Sequence, residues 1–323
     1  MARVALLSNP RSTGNRSLLP EVRRFCDLHK DIFHYEVEDV GQIGAAMRTI
    51  AMVRPKVLVI NGGDGTVQAA LTEMFNGGHF GETPPPVAVL PNGKTNLIAH
   101  DLGAEGDPIE ALGRFLAIAR GDLAPHIVTR ELIALSGGTS SGKPVVGMFL
   151  GGAALADTML YCRHKIYPLG LPNGVAHLLA FLAGLLAIII GRRATFLPRP
   201  ASLKVSMQRH GHLQGRFAVL MVTTLEQLLL KSQVVTADGK AGVLQLLIVE
   251  RRPLVILRAF ADAIRGRLGR YKVQGIHLER SDEIRIEGDD SNVILDGELF
   301  EARSDRPIVL TPTAPVSFLR LAA

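Results

Sequence analysis

Short apolar runs alternate with amphipathic segments along the first third of the chain. Runs such as Val4–Leu7 and Val57–Ile60 predict buried strands. Segments with apolar residues at helical spacing, such as Ser17–His29 and Ile109–Arg120, predict helices between them. Strands that alternate with helices are typical of a parallel sheet covered on both faces, and ligands of such sheets bind at the carboxyl ends of the strands.

After Pro125 the pattern changes to short β-rich runs, such as Thr129–Leu135, separated by Gly-Gly and Asp-Gly turn signals. That spacing favours an antiparallel sandwich. The sequence therefore predicts an α/β domain with a mostly parallel, Rossmann-like sheet over residues 1–125. A final strand near 313–323 is expected to return to this domain. Residues 126–312 are expected to form a mainly antiparallel β-sandwich domain.

One segment, Val175–Ile190, is apolar apart from His177. Its length falls short of the roughly 20 residues that a spanning helix needs. Arg192 and Arg193 follow it, and basic residues beside an apolar helix favour an anionic membrane surface. The sequence predicts either a helix that docks on a membrane or one that packs into the core of the second domain.

Composition narrows the class of partner. The formal net charge of +6 favours an anionic partner, whereas the absence of Trp and an aromatic content of 5% weaken a role in stacking on single-stranded nucleic acid. The two cysteines exclude a disulfide framework. The start of the chain has no apolar run long enough for a signal peptide, which favours a cytoplasmic location.

The strongest local motif follows the predicted strand Val57–Ile60. Three glycines, Gly62, Gly63 and Gly65, surround Asp64 there. Glycines let the backbone approach a ligand closely, and the start of the next helix offers free N–H groups to a phosphate. We expect that helix to begin at Thr66, with Thr66 as its N-cap. Asp64 then lies where a phosphoryl acceptor or a metal ion would bind.

A second glycine turn follows the next strand and contains Gly93, Lys94, Thr95 and Asn96. Both turns are expected at the same edge of the sheet, so together they can line one nucleotide cleft. The turn is not a P-loop, because Ala88 stands where that motif needs its first glycine.

These motifs, in this order, resemble the catalytic domain shared by diacylglycerol kinases and sphingosine kinases, of the bacterial lipid kinase type. The resemblance spans nearly the whole chain. It rests on five segments: Asn9-Pro10, Gly62–Thr66, Pro91–Asn96, Asp238-Gly239 and Leu295–Glu298.

The resemblance implies ATP-dependent phosphorylation of a lipid hydroxyl. It implies that a set of residues from the glycine turns and the first loop holds the nucleotide. These residues are Asn9, Gly62, Gly63, Gly65, Thr66, Gly93, Thr95 and Asn96. It also implies that Asp296 or Asp64 accepts the proton of the attacking hydroxyl, and that Asp238 binds Mg²⁺.

Asp296 and Glu298 lie two residues apart across a predicted Asp-Gly hairpin turn, so both carboxylates could reach one catalytic site. An Asp-Gly pair is also the commonest hairpin turn and needs no catalytic role. One departure from the family is Gly242, which stands where many members carry an acid near the metal site that the resemblance implies at Asp238.

The sequence thus predicts a lipid kinase that uses ATP and Mg²⁺ and works in the cytoplasm, associated peripherally with a membrane surface. Its expected partners are a lipid substrate and the membrane, with no nucleic acid, and a homodimer is left open. The alternatives are an NAD kinase or other small-molecule kinase, or a catalytically silent lipid-binding relative. The acceptor lipid, such as diacylglycerol or a sphingoid or ceramide-type lipid, is also left open.

Overall fold

The computed structural model describes residues 2–93, 96–138, 142–161, 202–208, 211–225 and 242–321. Contacts divide the chain into two compact units. The first unit comprises Met1–Leu132, Val145–Gly147 and Thr313–Ala323, and the second comprises Ile133–Pro144 and Met148–Pro312.

The first unit is built on a six-stranded sheet with the strand order β2-β1-β3-β4-β18-β5. Four neighbouring pairs are parallel, and only the edge strand β5 pairs antiparallel, with β18. The strands of this sheet are β1 (Val4–Ser8), β2 (Ile32–Glu36), β3 (Val57–Asn61), β4 (Val87–Val89), β5 (Ile127–Arg130) and β18 (Val316–Leu319). The helices of this unit are α1 (Asn15–Leu28), α2 (Ile43–Val53), α3 (Asp64–Gly77), α4 (Leu97–Asp101) and α5 (Pro108–Arg120).

The central strands of this sheet are buried along their whole length. Every residue of β1, β3 and β4 is buried, as expected for parallel strands covered on both faces. The helices contribute apolar side chains to the same core, among them Met47 and Ile50 of α2 and Phe115 of α5.

The second unit contains two antiparallel sheets. One has the strands β10-β9-β14-β17-β6 in that order, and the other has β13-β12-β11-β8-β15-β16. The strands of the first are β6 (Ile133–Ser136), β9 (Leu203–Met207), β10 (Gly211–Gly215), β14 (Ile284–Gly288) and β17 (Ile308–Pro312). The strands of the second are β8 (Phe149–Gly152), β11 (Phe217–Thr223), β12 (Leu244–Glu250), β13 (Ile276–Ser281), β15 (Ser291–Leu295) and β16 (Glu298–Ala302). The helices are α6 (Ala154–Tyr161) and α7 (Pro253–Ile264).

The expected fold class is confirmed: a mostly parallel α/β portion precedes a portion made of antiparallel sheets. Two local predictions were wrong. The predicted strand Thr129–Leu135 is two strands, β5 and β6, which belong to different sheets. The helix expected to begin at Thr66 begins at Asp64, because Gly63 supplies the extended backbone that precedes the first helical turn.

A short strand, β7 (Val145–Gly147), belongs to the first unit, although the residues directly before and after it in the chain belong to the second unit. The Thr72 side chain of α3 fixes it, because its hydroxyl accepts from the Val146 N–H at 3.0 Å and lies 3.3 Å from the Val146 carbonyl oxygen.

Among the residues that the structure describes, no helix has the length and apolar character needed to cross a membrane. The apolar segment Val175–Ile190, for which the sequence predicts a docking or core helix, lies outside the described residues.

A buried ion pair connects α4 to the edge strand β5. Arg130 Nη1 lies 3.0 Å from Asp101 Oδ2, and the side chains are only 6% and 1% exposed. Removing one member of such a pair leaves an uncompensated charge away from water, whereas replacing both members with apolar residues of similar volume is often neutral.

We therefore expect Asp101→Asn to lower the free energy of unfolding by about 3–5 kcal/mol, measured by chemical denaturation. The double variant Asp101→Leu/Arg130→Met is the control and should recover most of that loss. A loss below about 1 kcal/mol for Asp101→Asn would contradict the assignment of this ion pair to the stability of the first unit.

Candidate active site

Five asparagine and serine side chains gather where β1 and β3 end and where the turn after β4 begins. Ser8 and Asn9 close β1, Asn61 closes β3, Asn92 follows β4, and Asn15 opens α1. All five are buried. Buried polar groups must find hydrogen-bond partners, because an unsatisfied one costs about 1–3 kcal/mol. Here the partners are the other side chains of the cluster, nearby backbone groups, Thr66 and His34.

Asn92 occupies the centre of this cluster. Its Nδ2 donates to Asn15 Oδ1 at 2.5 Å and to Asn61 Oδ1 at 2.7 Å. One amide group thereby connects the turn after β4 to the start of α1 and to the end of β3. Gly14 leaves the space that this amide fills, since an added Cβ there would overlap the Asn92 side chain.

Asn15 and Asn9 extend the network to α3. Asn15 Nδ2 donates to the carbonyl oxygen atoms of Asn9 and Asn61, at 2.8 and 3.0 Å. Asn9 Nδ2 donates to Thr66 Oγ1 at 2.9 Å, and its Oδ1 accepts from the Arg11 N–H. The first loop therefore holds the first turn of α3 in place. Thr66 is the third helical residue rather than the N-cap, and its hydroxyl is engaged with Asn9.

The network continues below the sheet edge to a histidine on β2. Asn61 Nδ2 donates to Ser8 Oγ at 3.0 Å, and Ser8 Oγ lies 2.9 Å from His34 Nε2. Burial lowers the pKa of His34, which favours the neutral imidazole. In the neutral tautomer with Nε2 unprotonated, His34 accepts a hydrogen bond from the Ser8 hydroxyl, while Ser8 Oγ accepts one from Asn61 Nδ2.

The two glycine turns lie against each other, as the sequence predicts. A Cβ added to Gly93 would lie 3.1 Å from Gly63 Cα and 3.6 Å from the Gly62 carbonyl oxygen. A Cβ on Gly62 would lie 2.7–2.8 Å from the Thr66 side chain, so only glycine fits there. By contrast, a Cβ on Gly63 would meet nothing within 4 Å. The backbone at Gly63 thus faces open space that a ligand could occupy.

Asp64 is the first residue of α3 and follows this open backbone directly. It is partly buried, and desolvation raises its pKa to about 6. The Thr66 and Val67 N–H groups donate to the Gly63 carbonyl oxygen, so the donors that the turn offers to a ligand beside this carboxyl group are the N–H groups of Asp64 and Gly65. Gly65 is the second residue of the same helical turn.

Asn96 fixes the second turn. Its backbone adopts the left-handed conformation, with φ of 53°, and its Oδ1 accepts the Gly93 N–H at 2.6 Å. Asparagine tolerates this conformation better than most residues. Thr95, the remaining residue of this turn for which the sequence predicts nucleotide binding, lies outside the described residues.

In the second unit, Asp296 closes the hairpin between β15 and β16. Its backbone is left-handed, with φ of 44°. Its buried carboxylate accepts the Met148 and Phe149 N–H groups, at 2.8 and 2.9 Å. The side chain therefore holds the start of β8 as well as the turn. Glu298, two residues on, is exposed at the beginning of β16, so the two carboxyl groups have different surroundings.

Asp238, the predicted Mg²⁺ ligand, lies outside the described residues. Within the described part of the chain, no cluster of three or more His, Cys, Asp or Glu side chains could hold a metal ion. Gly242 has a packing reason for lacking a side chain: a Cβ there would lie 2.5 Å from the Ser281 N and 2.7 Å from the Arg280 carbonyl carbon.

Sequence reasoning found the glycine turns, Asn9 and Asp64 but missed Ser8, Asn15, Asn61 and Asn92. A signal was present. Asparagine follows the apolar run at the end of β1, β3 and β4 alike, and a polar amide repeated at the same edge of three neighbouring strands indicates a shared hydrogen-bond network.

We expect Asn92→Asp to lower the free energy of unfolding by at least about 2 kcal/mol at pH 7, because it replaces a donor of two buried hydrogen bonds with an acceptor. The introduced carboxyl would face the oxygen atoms of Asn15 and Asn61, so its pKa in the folded state would be raised. The loss should therefore shrink as pH falls through that raised pKa. Denaturation curves at pH 5 and 8 measure it. A loss below about 0.5 kcal/mol, or one that does not change with pH, would contradict the network.

Comparison with known proteins shows which family and which solved structures the chain resembles. The profile of the diacylglycerol kinase catalytic domain matches residues 3–125. No curated protein matches the chain significantly. Solved structures with the same fold include a candidate diacylglycerol kinase from Bacillus anthracis str. Sterne, at 17% identity and a TM-score of 0.63, covering 99% of this chain and 97% of that one.

A second structure, of a diacylglycerol kinase from the same organism, is 15% identical with a TM-score of 0.60, over 99% of this chain and 97% of that one. An NAD kinase from Archaeoglobus fulgidus in complex with ATP is 9% identical with a TM-score of 0.51, over 99% of this chain and 94% of that one. At these identities the structures establish a shared fold. The profile match covers residues 3–125, which contain the asparagine network and both glycine turns, so this part of the chain is similar to the diacylglycerol kinase catalytic domain.

Proposed function

We propose that the chain is an ATP-dependent lipid kinase that transfers the γ-phosphoryl group to a hydroxyl of a lipid such as diacylglycerol or a sphingoid or ceramide-type lipid. The observation that carries the proposal is the position of Asp64. It is a partly buried carboxyl group with a raised pKa, directly beside the open backbone of Gly63 at the start of α3. The family of residues 3–125 supports the same reaction class.

The first unit fits a nucleotide phosphate group. The open space at Gly63 is the kind of cradle that a side chain would fill. The helical N–H groups that follow Gly63 and the positive end of the α3 dipole both favour an anion. Gly62, Gly65 and Thr66 complete this turn, and Gly93 packs against it. Asn9 and Asn96 would act by fixing the two turns, since their side chains already hold Thr66 and Gly93.

Asp64 is suited to accept the proton of the attacking hydroxyl. A general base works best when its pKa is near the working pH, and burial brings the pKa of Asp64 to about 6. In the proposed step, a carboxylate oxygen of Asp64 takes the hydroxyl proton while the lipid oxygen forms a bond to the γ-phosphorus. The bond from that phosphorus to the bridging oxygen breaks, and ADP leaves with the electron pair.

Asp296 remains the second candidate for this proton transfer, with Glu298 beside it in sequence. The contacts favour Asp64. Both carboxylate oxygens of Asp296 already accept backbone N–H groups, so replacing this side chain would disturb the start of β8. Glu298 is exposed at the beginning of β16.

We also propose that the reaction uses Mg²⁺, because phosphoryl transfer generally needs a metal ion to neutralise charge. Mg²⁺ is usually bound by one or two carboxylates together with substrate phosphates rather than by a cage of protein groups. In this chain the predicted ligand Asp238 is the carboxylate to test, since Asp64 is assigned to proton transfer. The ion would neutralise charge on the transferred phosphoryl group.

In the alternative, the chain phosphorylates NAD or another small molecule. The structure of the Archaeoglobus fulgidus NAD kinase shares the fold of this chain, so NAD belongs among the acceptors to be tested. We favour a lipid because of the family of residues 3–125 and because the apolar segment Val175–Ile190 suits a membrane setting better than a water-soluble acceptor. The proposed location is the cytoplasm, with peripheral attachment to the membrane.

Incubation of the full chain with labelled ATP, Mg²⁺ and a panel of acceptors tests the proposal. The panel should contain diacylglycerol, a sphingoid base and ceramide in detergent micelles, together with NAD. We expect label in one of the lipids, resolved by thin-layer chromatography. Label in NAD alone would show the alternative to be correct, and ATP binding without transfer to any acceptor would identify a catalytically silent relative.

The variant Asp64→Asn tests the proton acceptor. It keeps the size of the side chain and removes its basicity, so turnover should fall by at least about 10²-fold while ATP affinity changes little. The matched control is Glu298→Gln, which removes an exposed carboxyl group and should retain turnover within about threefold of the native chain. Near-normal turnover by folded Asp64→Asn protein would reject Asp64 as the base.

The raised pKa of Asp64 also predicts opposite effects of pH on activity and stability. Turnover should fall as pH drops through about 6, because the base becomes protonated. Stability should do the reverse, since a carboxyl whose pKa is raised by folding binds protons more tightly in the folded state. Asp64→Asn should therefore increase the free energy of unfolding at pH 7 by about 1–2 kcal/mol. A decrease at pH 7 would contradict a desolvated carboxylate at this position.

A further inference from the structure

The helix α7 in the second unit is apolar on both of its sides. Its inner side packs on the sheet through Ile256 and Ala259, which join Leu247 and Val249 of β12 in one buried cluster. In this structure the outer side of α7 is exposed.

The exposed side carries large apolar side chains. Leu254 is 80% exposed, Leu257 43% and Ile264 57%. At 100° per residue, these three lie within about one third of the helix circumference. Exposed apolar residues scattered singly need no explanation, but several on one helix face mark a contact surface.

The same face is strongly basic. Arg258 and Arg265 lie among the leucines at this helical spacing, and both are exposed. From Arg251 to Lys272 the chain has seven Lys and Arg residues against one Asp, a net charge of +6. This equals the formal net charge of the whole chain, so the remaining residues are neutral on balance. We call the surface formed by Arg251 to Lys272, which comprises α7, the two arginines before it and the loop after it, the α7 surface.

Hydrogen bonds and packing hold the loop of the α7 surface in one conformation. Gly266 has a φ of 62°. Its N–H donates to the Ala263 carbonyl oxygen, and the Arg267 N–H donates to that of Asp262. This pair of bonds is the Schellman ending of a helix. Leu268 then inserts into the buried cluster beneath α7. The loop therefore presents Arg267, together with the residues after Leu268, in a defined arrangement.

Most of the charges on the α7 surface are available to a partner. Arg258 lies 3.8 Å from Asp262, and Arg252 lies 3.1 Å from Glu250. Within the described part of the chain, the other basic side chains of this surface form no ion pair. These are Arg251, Arg265, Arg267, Arg270 and Lys272. Tyr271, 72% exposed, adds an amphipathic side chain of the kind that is enriched at membrane interfaces.

We propose that the α7 surface docks the protein on an anionic lipid bilayer. The apolar side chains would enter the acyl boundary while the arginines contact the charged headgroups, which is the pattern of interfacial helices. A nucleic acid would satisfy the arginines but would leave Leu254, Leu257 and Ile264 without an apolar partner. The proposal rests on the proposed function in one respect: it supplies the membrane attachment that a kinase acting on bilayer lipids needs.

Vesicle co-sedimentation without nucleotide tests the docking surface. The full chain should bind phosphatidylcholine vesicles that contain 40% phosphatidylglycerol, bind pure phosphatidylcholine vesicles weakly, and lose affinity as salt rises. The double variant Arg265→Gln/Arg267→Gln should weaken binding to the anionic vesicles about 30-fold, at about fivefold for each charge. The double variant Leu254→Ser/Leu257→Ser should weaken binding at least about tenfold, with the charge unchanged.

The matched control is Arg24→Gln/Arg48→Gln. Both arginines are exposed, on α1 and α2. Their substitution removes the same amount of charge from the first unit, so binding should stay within about twofold of that of the native chain. An equal loss of vesicle binding in the control would show that binding depends only on net charge, and this would overturn the proposal. Equal binding to neutral vesicles would overturn it too, as would a change of oligomeric state in Leu254→Ser/Leu257→Ser, which would identify the surface as a contact between two copies.

Kinase assays in micelles and in vesicles distinguish a failure of the docking proposal from a failure of the proposed function. For a lipid acceptor in detergent micelles, Arg265→Gln/Arg267→Gln should turn over at the native rate, whereas in anionic vesicles its rate should fall in parallel with binding. Equal rates in vesicles would overturn docking and leave the kinase intact. Absence of any lipid phosphorylation, together with variant-sensitive vesicle binding, would overturn the proposed function and support docking.

Discussion

The arrangement of the first unit depends on one constraint: amide side chains buried at the edge of a parallel sheet must satisfy one another. Asn92 reaches both Asn15 and Asn61 with a single NH₂ group, and Asn15 reaches two backbone carbonyl groups. Parallel strands end at the same edge, so these residues meet although they are distant in sequence. Because unmet hydrogen bonds are costly away from water, the loops cannot move independently.

The consequence is a hydrogen-bonded frame around the carboxyl group of Asp64. Asn9 holds Thr66 in the first turn of α3, and Asn96 holds Gly93 against the neighbouring glycine turn. Asp64 sits on this frame with its pKa raised by desolvation. In our proposal this divides the work between the units: the first binds ATP and supplies the base, and the second attaches the protein to the lipid surface through α7.

The sequence predicted the fold class because hydrophobic periodicity is a local signal. The run Val57–Ile60, which is followed by glycines, indicates a buried strand that leads into a turn. The split of Thr129–Leu135 into two strands was not predictable in this way, because β5 and β6 differ in their neighbours rather than in their side-chain pattern. The partners of Asn92 were missed for the same reason: they are set by tertiary contacts. The carboxylate contacts of Asp296 with β8 depend on a loop that lies nearly 150 residues earlier.

The measurement that tests the central claim most directly is ATP affinity in Asn61→Ala, determined by isothermal titration calorimetry at a temperature where circular dichroism shows the variant to be folded. Asn61 ends β3 and contacts Asn92 and Ser8, so in this account it acts on the nucleotide only by holding the turns in place. The account predicts that the dissociation constant for ATP rises at least about tenfold, the equivalent of one lost buried hydrogen bond. An unchanged dissociation constant in folded Asn61→Ala protein would contradict the claim that the asparagine network shapes the nucleotide site.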